Sequence, residues 1–320
     1  MKRIENKKIF KLICGAGNEN IKEIENLSFV YASAGFNMID VAAKNDAVQA
    51  AKKGIEKAGK SEEVLICVSV GLQSDIHLSK AVINKQNCTK CLSCMNICPQ
   101  NAIWEEDDKI FVNEKNCIGC SKCLSVCANN AIIIEHKYKT PCSMLLSVLS
   151  DDIDCVEFHC NCADEQLILE NWKQIKSVYN GQIGFCMDRS KLSDDKVIQL
   201  IKTMVEDNPD IIVQADGKPM SGGVDDYKSN LQTLAFAELI LNNNINAKLI
   251  VSGGTNSKTT ELAKLCNINI DGVAIGSFAR KLVKEYVDRE DFADNKEFQD
   301  SAIKKAELLY NSLNGYLSEE

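Results

Sequence analysis

Residues 63–72 read EVLICVSVGL, and the next stretch of the same kind is CVEFHC at 155–160. Each is a short apolar run of strand length, rich in residues that favour a pleated surface. Between them, at 81–138, stand eight of the chain's 16 cysteines. With that segment set aside, the rest of the 320 residues alternates strand-type runs with helix-period segments. The strand-type runs are FKLICGAG (10–17), NMIDVAA (37–43), EVLICVSVGL, CVEFHC, QIGFCMD (182–188), IIVQADG (211–217), AKLIVSGG (247–254) and GVAIGS (272–277). A helical stretch follows each, the last running from Arg280 onward. Eight β-then-α units of this length predict an α/β fold, a (β/α)8 TIM-like barrel; a doubly wound open sheet is the alternative.

The barrel pattern divides the chain into 1–80 (strands 1–3), an insertion at 81–138, and 139–320 (strands 4–8 and a C-terminal helix). Thr140 and Pro141 mark the helix that resumes the pattern, as cap and first helical residue. The insertion follows a strand, so it belongs to a βα loop. Those loops form the barrel face where active sites are built.

The inserted cysteines form two matching runs, CTKCLSCMNICP (88–99) and CIGCSKCLSVCA (117–128). This is the two-cluster ferredoxin spacing, in which the fourth cysteine of each run serves the other cluster. Cys88, Cys91, Cys94 and Cys127 are thus expected to hold one [4Fe–4S] cluster, and Cys117, Cys120, Cys123 and Cys98 the second. Ala128 stands where the second run would carry a proline, which alters a loop and removes no ligand. A mixed cysteine–histidine zinc site finds no support, because neither run contains one of the three histidines.

Strand alternation sets Cys155, Glu157 and His159 toward the barrel axis, with Val156, Phe158 and Cys160 toward the helices. It likewise turns Gln214 and Asp216 inward, and Lys11, Asp40, Ser69, Cys186, Asp188 and Ser252 toward the axis or mouth. Barrel interiors are usually filled by branched apolar residues, so these polar groups suggest a pocket. Glu157, His159, Asp216 and Lys218 are the candidates for proton transfer or charge stabilisation there. Gly253, Gly254, Gly276, Ser277 and Arg280, after strands seven and eight, are the candidates for binding FMN or another phosphate-bearing ligand. Cys14, Cys160, Cys162 and Cys186 read mainly as scattered buried thiols.

A net charge of −8 argues against broad nucleic-acid binding. No apolar stretch approaches membrane-spanning length and no signal h-region opens the chain, so a cytoplasmic location is expected.

The segments KLICGAG, FVYASAGFNMIDVAA, QADGKPMSGG and GVAIGSFARKLV, together with the twin cysteine runs, resemble the cyanobacterial light-dependent period modulator family, LdpA. The resemblance spans nearly the whole chain. It implies an iron–sulfur protein that reports cellular redox state to the circadian clock, with the eight cysteines as ligands. The implied partners are a redox donor such as ferredoxin or the quinone pool, and a clock or signalling protein. It supplies no catalytic residue. Two readings stay open: a redox sensor, or a flavin-dependent oxidoreductase whose clusters feed the barrel.

Overall fold

Eight parallel strands close on themselves. In chain order the first half gives β1 (Ile9–Gly15), α1 (Ile21–Ser33), β2 (Met38–Ala42), α2 (Asn45–Lys57) and β3 (Leu65–Gly71). The second half gives α5 (Pro141–Leu146), β8 (Cys155–His159), α6 (Glu165–Val178), β9 (Gln182–Met187), α7 (Asp194–Asp207) and β10 (Ile212–Asp216). It ends with α8 (Leu231–Asn242), β11 (Lys248–Ser252), α9 (Thr259–Leu265), β12 (Gly272–Ile275), α10 (Ser277–Val287) and α11 (Lys296–Asn314). The strand order around the barrel is β1-β12-β11-β10-β9-β8-β3-β2. This is the (β/α)8 architecture read from the sequence. The computed structural model describes residues 7–15, 17–72, 79–136, 139–217 and 223–317.

The strands separate two layers, as period-2 alternation requires. Val156, Phe158, Val213, Ala215 and Val251 face outward and pack with the helices into the main core. Inside the barrel Ile9, Met38, Leu65, Cys67, Cys155, Ile212, Ile250 and Ala274 form a smaller apolar plug. Above that plug the interior turns polar. Closure of the ring depends on Gly272, which pairs with Ile9. A Cβ at Gly272 would press into the Ile9 carbonyl oxygen, so only glycine lets β12 meet β1.

The insertion lies between β3 and α5 and makes two small antiparallel sheets. β4 (Ser79–Ile83) pairs with β7 (Ile132–His136), and β5 (Ile103–Glu106) pairs with β6 (Lys109–Val112). The short helices α3 (Ser93–Ile97) and α4 (Lys122–Ser125) each follow the start of one cysteine run.

Helix starts follow local chemistry. Thr140 accepts a hydrogen bond from the Ser143 N–H at 3.1 Å, with Pro141 in the first turn of α5. One expectation is corrected: the run from Arg280 onward is two helices rather than one. The charged stretch 288–295 carries no apolar periodicity, and Asn295 starts α11 by accepting from the Phe298 N–H at 3.3 Å. Among the described residues no helix is long and apolar enough to cross a membrane.

Candidate functional site

Two cavities in the insertion gather the cysteines. One is lined by Cys88, Cys91, Cys94 and Cys127, with Ile83, Ile110 and Ile132 around them. The other is lined by Cys98, Cys117, Cys120 and Cys123, with Ala81, Ile103 and Ile134. The last cysteine of each run therefore lies with the first three of the other. The backbone repeats as well: Lys90, Leu92 and Asn101 in the first half have positive φ, as do Gly119, Ser121 and Asn130 in the second. These left-handed residues turn the loops tightly. Backbone N–H groups point at sulfur, from Ala102 to Cys98 at 3.3 Å, Ala131 to Cys127 at 3.2 Å and Ala81 to Cys117 at 3.4 Å. Burial pushes the Cys123 thiol up to about 11. Gathering thiolates in apolar surroundings is unfavourable unless a cation accepts them. Four sulfurs per cavity, with N–H donors to sulfur, fit an iron–sulfur cluster.

The insertion is anchored on the barrel by one buried lysine. Lys80 Nζ donates to the carbonyls of Gly17 at 2.6 Å, Glu114 at 2.7 Å and Cys117 at 2.8 Å, and pairs with Glu19 at 3.3 Å. The Glu19 N–H also donates to the Lys115 carbonyl at 2.9 Å. This contact sets Ile118 over the barrel. Ile118 lines both the second cysteine cavity and the cavity in the barrel mouth.

The mouth cavity encloses about 80 Å3. Glu157, His159, Gln214, Asp216, Asp40, Cys186 and Ser252 line its inner side, and Gly253, Gly254, Gly276, Ser277 and Arg280 line the side of β11 and β12. The structure thus brings together the candidates for proton transfer and for ligand binding named from sequence, except Lys218, which lies outside the described residues; Lys11 and Ser69 lie below the cavity and bond to residues that line it. Asp188 does not line the cavity; its Oδ1 accepts from the Ser190 N–H at 2.7 Å and holds the turn after β9. Cys14 and Cys160 belong to the outer core and do not join Cys186.

Charge in the mouth is arranged around Glu157. Its Oε2 accepts from Lys11 Nζ, its Oε1 accepts from Gln214 Nε2 at 3.0 Å, and His159 Nε2 lies 3.3 Å from that same oxygen. Burial works to raise the Glu157 carboxyl, but Lys11 and His159 outweigh it and keep it ionised well below the usual range. Asp40 and Asp216 lack a lysine of their own, so burial pushes each up to about 7. Ser69 donates to Asp40 at 2.7 Å and Ser252 to Asp216 at 2.8 Å. The Cys186 thiol is raised by burial and by Asp216, and stays protonated. Two carboxyls that titrate near neutrality beside a histidine give the mouth groups able to exchange protons. Sequence reading missed one pair of buried thiols, Cys67 and Cys155, which are register partners on β3 and β8. Alternation places both inside, but only the β3–β8 pairing makes them neighbours.

Gly253 shapes the edge of this site. Its φ is +72°, and a Cβ there would run into the Asp216 carboxylate. The residue thereby lets the β11 turn close over Asp216.

Comparison with known proteins gives the same two parts. Residues 80–128 match the 4Fe-4S dicluster domain, and residues 147–315 match the Light dependent period A C-terminal domain. A Synechococcus elongatus protein, "Light dependent period A", is 26% identical over 300 residues, covering 87% of this chain and 82% of its own length. The YdjI aldolase from Escherichia coli K12 superposes with a TM-score of 0.50 at 8% identity, covering 96% of this chain and 90% of that one. That likeness is one of fold. The C-terminal domain match spans more than half of the sequence and the cysteine insertion matches an iron–sulfur domain, so this chain belongs to the Light dependent period A family as one of its iron–sulfur proteins.

Proposed function

We propose that this protein is a redox sensor holding two [4Fe–4S] clusters, one on Cys88, Cys91, Cys94 and Cys127 and one on Cys117, Cys120, Cys123 and Cys98. When bound, each cluster supplies one-electron exchange with a donor of the ferredoxin or quinone-pool class. The observation that carries the reading is Ile118. It lies next to Cys117, lines the second cysteine cavity, and also roofs the barrel mouth. A change of charge on that side of the insertion is therefore felt in the mouth, through Ile118 and through the Lys80 contacts to Gly17 and Cys117. Sensing requires a partner that binds the two redox states with different affinity. A signalling protein that contacts the mouth rim would meet that requirement. The name of the Synechococcus relative refers to a light-dependent period in that organism; for this chain the reading extends to redox reporting alone.

The test is amide hydrogen exchange on anaerobically prepared protein, oxidised and then reduced with dithionite. The sensor reading expects protection to differ at 117–119 and also at 17–20 and in α10. Identical exchange across the barrel in both states would contradict it, even if both clusters are present.

A further inference from the structure

Three side chains of different chemistry converge where they line the barrel mouth. Glu157 and His159 stand two residues apart on β8, so alternation turns both inward. Cys186, on β9, is the register partner of His159. A carboxylate oxygen, an imidazole nitrogen and a thiol sulfur from the three lie within 4.8 Å of one another. His159 Nε2 is 3.3 Å from Glu157 Oε1. A tetrahedral ion with bonds of about 2.0–2.1 Å holds nitrogen and oxygen ligands roughly 3.3–3.4 Å apart. A thiolate bound at about 2.3 Å stands roughly 3.5 Å from each, so movement on the order of 1 Å seats Cys186.

The neighbours brace these groups. Lys11 engages Oε2 of Glu157, the oxygen turned away from His159, while Gln214 Nε2 donates to Oε1 at 3.0 Å. Oε1 keeps a second lone pair, the one that faces His159. Gln214 also borders the Cys186 thiol, so one amide supports two of the three groups, as outer-shell residues of metal sites do. Lys11 adds a like charge beside a bound cation, and the carboxyls of Asp40 and Asp216 on the same cavity oppose it. At about 80 Å3 the cavity exceeds the roughly 10–15 Å3 that one water needs, so an ion held by three groups keeps an open position.

The donor set selects the metal. Magnesium and calcium take oxygen ligands, whereas a thiolate and an imidazole beside one carboxylate suit zinc. Three protein ligands with a fourth position open to a cavity is the pattern of reactive zinc sites, and closed four-ligand sets that of structural ones.

From this convergence, we infer that the barrel mouth binds a zinc ion on Glu157, His159 and Cys186, with water or a small oxygen-donor ligand in the fourth position. The thiol proton of Cys186 passes to solvent as the ion binds. The site uses none of the eight cluster cysteines and stands independently of the redox-sensor reading.

Equilibrium dialysis of the full, cluster-loaded chain against Zn2+ at pH 8, under anaerobic conditions, tests this, with iron and sulfide assayed before and after. The expected result is one zinc per chain with no loss of iron. Its zinc-edge X-ray absorption should show a single sulfur at about 2.3 Å and nitrogen or oxygen ligands at about 2.0–2.1 Å. Cys186→Ser is expected to erase the sulfur shell, and both it and His159→Gln to weaken binding about tenfold or more, since even an outer-shell change costs that much. Should neither variant fold, the spectrum of the unaltered protein decides alone. No bound zinc, a shell of two or more sulfurs with iron released, or unchanged affinity in either folded variant overturns the proposal.

Discussion

Glu157 and Lys11 form a buried ion pair, each under 3% exposed, at the centre of the barrel. Removing one partner strands the other charge. Lys11→Met is expected to destabilise the fold by about 3–5 kcal/mol, and the double change Lys11→Met with Glu157→Leu to recover much of that loss. Urea midpoints of the three proteins check it; equal stability of the single and double variants would show that the pair is not coupled. Asp216 makes the complementary point. Burial pushes its carboxyl up to about 7, against ~3.9 in an unfolded chain. Between those values the folded state keeps a proton that the unfolded state has released, so this group's contribution falls as pH rises from about 4 to 7. Asp216→Asn is therefore expected to gain stability relative to the unaltered protein between pH 5 and pH 7.5, measured by denaturant midpoints at both values. A difference independent of pH would refute the raised carboxyl.

At the scale of elements, barrel closure rests on the close approach of β12 to β1. Gly272→Ala is expected to cost about 1–3 kcal/mol, because the new methyl would press into the carbonyl and the Cβ of Ile9. A thermal midpoint unchanged by that substitution would show that the seam relaxes freely. The strands are legible in sequence because their periodicity is local: Cys155, Glu157 and His159 alternate with Val156 and Phe158, and the two faces meet different surroundings. The break between α10 and α11 is less legible, since Phe292 and Ala293 sit among charges and mimic helix composition. The cysteine sets are legible for the same local reason, ligand spacing within each run. The roofing of the mouth by Ile118 is not, because it depends on how Lys80 seats the insertion on the Gly17 carbonyl, a contact between residues 63 positions apart.

For the molecule as a whole, the account is of a barrel whose mouth is covered by a metal-binding insertion, with one lysine and one isoleucine at the junction. Lys80→Met removes three carbonyl contacts and is expected to speed hydrogen exchange within 79–136 while the barrel strands keep their protection. Faster exchange spread evenly over β8–β12 would show instead that the two parts unfold together. The central claim is that the two cysteine runs hold two clusters with their fourth ligands exchanged. Iron and labile sulfide in paired substitutions test it most directly. Cys98→Ser with Cys117→Ser strikes one cavity twice, so about four of the roughly eight irons expected for two clusters should remain, with one cluster's EPR signal intact on reduction. Cys98→Ser with Cys88→Ser strikes both cavities, and both signals should be lost or altered. The opposite pattern, with the first pair disturbing both clusters and the second only one, would contradict the exchanged ligation.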